Sequence, residues 1–153
     1  MLKKMKNQEQ FDRTVKILVG AYLNNTLMHR NCHACAVGNL IAANLGISYS
    51  KELKWVGREV AWKEVFVTFR YQIAQLKRPW AYCGEAKVQI DATGYTWQQL
   101  AAMEYAFERA PMGHSRDEHM FNGLMAVVEV LALIHEMDEK AKTAARELFT
   151  SLR

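Results

Sequence analysis

A chain of 153 residues, half of them hydrophobic and 24% charged, is long enough for one domain with a sizeable core. The composition excludes a disordered or low-complexity polypeptide, and an odd count of three cysteines argues for a reducing cytoplasm rather than a secreted disulfide framework. The net charge of +4 is uneven: residues 1–90 carry 14 Lys/Arg and 6 Asp/Glu, and residues 91–153 carry 6 and 10, so the first part either attracts a polyanion or complements the second across an interface.

Residues 1–7 read as a flexible basic start, without the apolar run of a secretory signal. A first helix is expected over 8–28, where Phe11, Val15, Leu18 and Tyr22 follow helical spacing. A loop follows at His29-Arg-Asn-Cys32-His33-Ala-Cys35. The second helix, about 34–45, buries Val37, Leu40, Ile41 and Leu45, and Gly46 suits the left-handed residue that ends it.

Over 50–77 the spacing of Trp62, Val65, Phe66, Phe69, Ile73 and Leu76 predicts a helix, although Val65, Val67, Phe69 and Tyr71 also alternate as in a strand. Pro79 closes this stretch. Lys87–Asp91 reads as a short strand. Thr96 with Gln99, and Ser115 with Glu118, fit capping boxes that open two further helices. The helix near 117–137 is apolar around most of its circumference and is expected at the centre. Its apolar run, Leu124 to Ile134, is short of the about 20 residues that span a bilayer, so no membrane partner is expected. A last helix runs to Leu152. The predicted fold is mainly α: one domain, 1–153, with five or six helices.

Three groups of residues carry candidate chemistry. His29, Cys32 and Cys35 have the short separations of a zinc site, with Cys83 as fourth ligand and His33 as a substitute for His29. Cys-x-x-Cys near a helix start also suits thiol redox chemistry. The plainer reading is two small cysteines packed at a helix start.

Residues 36–59 resemble a helix-turn-helix. Ser48 and Tyr49 would reach base edges, and Lys51, Lys54 and Arg58 would face phosphates. The inward position of that recognition helix falls on Glu52, with Leu53 one residue out of register. Trp55 and Trp62 read as core or interface.

Glu129, alone in the apolar helix, is either a buried acid or base or the partner of an Arg or Lys. His114, His119 and His135 read as solvated or capping residues. No phosphate loop, nucleophile elbow or His-Glu-x-x-His motif is present.

Two stretches, Cys32-x-x-Cys35-Ala-Val-Gly-Asn39 and Thr93-Gly-Tyr-Thr-Trp-Gln-Gln-Leu100-x-x-Met-Glu-Tyr-Ala-Phe-Glu108, followed by Asn122-Gly-Leu-Met-Ala-Val127, resemble a group of small uncharacterised proteins of bacteria and their phages. The resemblance implies a phage or mobile-element context and brings no activity or ligand with it. The expectation is a small, non-enzymatic binding or accessory protein with a protein partner. DNA binding and a zinc or thiol site stand as the alternatives.

Overall fold

The computed structural model describes residues 2–66 and 82–153. Among them lie six helices: α1 (Leu2–Leu23), α2 (Ala36–Leu45), α3 (Gly84–Ala92), α4 (Trp97–Arg109), α5 (Arg116–Ile134) and α6 (Glu139–Thr150). No sheet forms among the described residues, where the only β pairing outside strands is a Tyr49–Trp55 bridge. None of these helices is long and apolar enough to cross a membrane.

The most apolar helix takes the middle. α5 packs on α4, α6 and α1, burying Leu124, Val127, Val128 and Leu131 completely. Each such side chain contributes about 1.5–3 kcal/mol. One strip of α5 still faces water. Leu133 is 79% exposed, and Glu129 pairs across to Lys142 at 3.2 Å and to Arg146 of α6. Glu129 is therefore the bridged carboxylate of the two readings.

Both sequence caps form. The Thr96 hydroxyl accepts the Gln99 N–H at 3.1 Å, and Gln99 Oε1 accepts the Thr96 N–H at 3.0 Å. Ser115 accepts from Glu118 N–H at 3.1 Å, but the Glu118 carboxylate takes the His114 N–H instead of closing the box. Gly46 ends α2 at φ 68°.

A buried polar chain fastens α1 to the far end of α5. His135 Nδ1 donates to Asn7 Oδ1 at 2.6 Å, because an amide oxygen can only accept. Its Nε2 then accepts the Tyr95 hydroxyl at 2.7 Å, and Tyr95 lies 2.7 Å from the Thr14 hydroxyl. His135, 2% exposed, is thus a buried connector and not a solvated residue. Burial holds its pKa down and keeps it neutral.

The last helix is a separate element, with Glu136 at φ 53° between α5 and α6. Three expectations are corrected. α1 starts at Leu2, so the flexible start is helical, and it stops at Leu23, not at 28. The expected strand at 87–91 is part of α3, because Ala86, Gln89 and Ile90 are the buried positions, a helical spacing that overrides the short alternation. Over 50–61 there is no helix, and Trp62–Val65 is a 3₁₀ turn. The remainder of that expected helix, 67–77, lies outside the described residues. The two tryptophans are buried, as core residues should be, but not on a shared helix face.

Tyr95→Phe leaves His135 Nε2 without a donor at a buried site. It should cost about 1–3 kcal/mol in urea unfolding with an unchanged m-value; a loss within error would show that the chain is not structural.

Candidate functional site: the Met28–Cys35 segment

Short-range chemistry builds this segment. The buried Asn39 side chain of α2 clasps it, its amide donating to Thr26 O at 2.8 Å, Ala34 O at 3.1 Å and Cys35 O at 3.1 Å, while Oδ1 accepts the Thr26 hydroxyl at 2.8 Å. Cys35 caps α2: its sulfur accepts the Gly38 N–H at 3.3 Å. Gly38 must be glycine because an added Cβ would lie 2.3 Å from His33 O and 2.5 Å from Cys32 O. The stretch Cys35-Ala-Val-Gly-Asn39 is thus cap, close approach and clasp.

One side of the segment meets α4 and α5. The His29 ring stacks between Phe107, with centroids 4.2 Å apart, and His119, at 3.5 Å. Gly123 makes room, since a Cβ there would sit 2.7 Å from the Phe107 ring. His29 Nε2 donates to His119 O at 3.1 Å. Its Nδ1 lies 3.6 Å from the Glu108 carboxylate and makes no hydrogen bond. Glu108 is held by the Arg30 N–H, at 3.0 and 3.2 Å. Burial lowers the His119 pKa, and the charge of His29 adds to it.

Glu104 belongs to the same cluster. Its Oε2 is out of water and without a partner. Burial pushes its pKa up to about 7, and the Glu108 charge adds to this against a lowering hydrogen bond from Cys35. The Cys35 thiol is raised well above its ordinary value, by burial first and then by Glu104. The unpartnered atoms, His29 Nδ1 and Glu104 Oε2, have almost no exposed surface, so no substrate reaches them in this conformation.

The other side of the segment carries a loop. His33 O accepts both the Tyr49 hydroxyl at 2.5 Å and the Trp55 indole N–H at 2.9 Å. Trp55 N–H donates to His33 Nδ1 at 3.0 Å, and the Asn31 amide donates to Leu53 O at 3.3 Å. Ser50 N–H to Lys54 O and Val56 N–H to Ser48 O, at 2.8 and 2.9 Å, close the loop on itself. At its tip Leu53 sits at φ 58°, a strained setting for a residue with a Cβ.

The sequence-derived site residues separate. His29, Cys32, Cys35 and Cys83 do not form a set: Cys83 is exposed at the start of α3, Cys35 is wholly buried, and among the described residues no three His, Cys, Asp or Glu side chains converge as metal ligands. Cys32 and Cys35 are free thiols, and the raised Cys35 pKa works against thiolate chemistry there.

The helix-turn-helix loses its second helix. The aromatic anchors Tyr49 and Trp55, six residues apart, tie down a loop, which removes the recognition helix that Lys51, Lys54 and Arg58 needed. All three are exposed, with Arg58 3.4 Å from Glu85; Ser48 is exposed and Tyr49 partly buried.

The His29–His119 stack joins residues 90 apart and had no local signature. Only the periodic burial of α4 beside Gly123 hinted at a close approach. Comparison with protein-family models, with curated proteins and with solved structures gave no match.

Two substitutions test this construction. Gly38→Ala should cost about 3 kcal/mol or more, or prevent folding, because backbone rather than a movable side chain blocks the methyl; thermal unfolding near the parent value would refute the close approach. Glu104 has a folded pKa above its unfolded value, so its contribution is present below about 4.5 and lost as pH rises through about 7. Relative to Glu104→Gln, the parent's folding constant should fall toward tenfold per pH unit across that window in denaturant titrations; parallel profiles would mean that the carboxyl is solvated.

Proposed function

We propose that this is a small, non-enzymatic binding or accessory protein that engages a protein partner through the loop Ser48–Arg58. One observation carries the reading: an exposed loop is fixed from beneath by side-chain and backbone bonds to a buried segment, with its tip held in a strained conformation. Lys51, Glu52, Lys54, Val56, Gly57, Arg58 and Glu59 all face water, and Val56 is 57% exposed. A loop ordered before contact loses less entropy on binding. Loops held by a rigid scaffold are where binding residues concentrate.

The charges favour protein over nucleic acid. Lys51, Lys54 and Arg58 are offset by Glu52 and Glu59, and Arg58 already has Glu85 beside it. A phosphate-tracking surface would carry a larger excess of cations.

A photo-crosslinking residue in place of Val56, in the full chain and in extract of the source cells, should give a discrete protein adduct. The same residue at the exposed Leu148 of α6 should not, and Lys54→Glu should weaken the adduct at 56 at least fivefold. Equal adducts from both positions, or a nuclease-sensitive adduct, would overturn the protein-partner reading.

A further inference from the structure

The proposed contact loop is attached to an ionisable ring in a way that only one protonation state permits. A backbone amide has a proton to give and no lone pair to offer. Trp55 N–H donates to His33 Nδ1 at 3.0 Å, so Nδ1 is the bare nitrogen and the ring proton sits on Nε2. No exchange of tautomers preserves this bond. A proton on Nδ1 would set two donors against each other at the same separation.

Among the described residues, the groups around the ring bring no anionic partner. From the loop, Lys54 faces it with a like charge, and the Trp55 ring meets it edge-on, with centroids 5.6 Å apart. Tyr49, its pKa raised by burial, stays neutral on the His33 carbonyl. α2 contains no charged residue, and the Cys35 thiol at its start is neutral. The carboxylates of α4 lie on the His29 side of the segment, where Glu108 takes the Arg30 N–H. The His33 ring is only partly buried, so protons reach it from solvent.

We propose that His33 is a proton-operated latch: the loop Tyr49–Val56 is held on the Met28–Cys35 segment while the imidazole is neutral and is released when Nδ1 takes up a proton. The strain at Leu53 favours release, since a freed loop lets φ return to negative values. Burial, and then the Lys54 charge, lower the His33 pKa. With the folded value below the unfolded one, the latch is complete above the ordinary imidazole range and is lost as pH falls through the lowered value. The latch rests on the loop as contact face, and it makes contact pH-dependent: a partner would be retained at neutral pH and shed on acidification.

The test needs no partner. In the full chain, hydrogen exchange of the Trp55 amide is followed by NMR from pH 8 to 4.5 and expressed as protection relative to intrinsic exchange. The His33 ring shifts are recorded in the same samples. Protection should be flat at high pH, then fall toward tenfold per pH unit as pH drops from the ordinary imidazole range to the lowered His33 midpoint, while the amides of Leu124 and Leu131 in α5 hold their protection. In His33→Asn a side-chain oxygen that cannot titrate replaces Nδ1, and the slope should vanish. Trp55 protection that ignores the His33 titration, or a slope that persists in His33→Asn, overturns the latch. Should that variant fail to fold, the parent's slope against the α5 amides decides alone. A slope with no crosslinked partner at position 56 upholds the latch and removes only the contact reading.

Discussion

Two aromatic side chains from one loop converge on the carbonyl oxygen of His33, and the position of that oxygen is itself imposed. Gly38 lets α2 begin against it, and Asn39 clasps the segment that carries it. Move the oxygen and three things move together: the start of α2, the loop from Tyr49 to Val56, and the His29 ring four residues upstream. Each neutral hydrogen bond is worth only about 1 kcal/mol. The arrangement is strong because the acceptors and donors share one short, fixed backbone.

The buried cluster beside His29 shows what that rigidity costs. Two carboxyls and two imidazoles are packed around Phe107, and two of their atoms go without partners. Water would satisfy those atoms better. The ring stack between Phe107 and His119 repays some of this, and Gly123 permits it. The cluster holds the segment on α4 and α5 as the other face holds the loop. Both faces thus act on one short backbone.

Local and strongly periodic features were legible in the sequence. The helices around Leu124 and Leu100, the caps at Thr96 and Ser115, and Gly46 as a stop all depend on neighbours within a turn or two. Where the reading failed, a non-local contact had outbid a local pattern. Five residues of alternation at 87–91 lost to helical burial of Ala86, Gln89 and Ile90. The helix-turn-helix pattern lost to hydrogen bonds between Tyr49, Trp55 and His33, which no spacing rule contains. His119 and His135 looked idle because their partners, His29 and Asn7, are 90 and 128 residues away. The packing of the cysteine pair at a helix start was legible in the sequence; the Cys35 sulfur as acceptor for the Gly38 N–H came with the fold.

The sulfur of Cys35 sets an unusual chemical specification. The position needs an acceptor for the Gly38 N–H at zero exposure, with the Glu104 carboxyl beside it. Serine would cap better, but its smaller side chain would underfill a fully buried site. Alanine or valine would fill the space and leave the amide orphaned. A thiol meets both demands weakly, as a small hydrophobe with a diffuse lone pair. A cysteine at a helix start can thus serve through its softness, as cap and filler in one side chain.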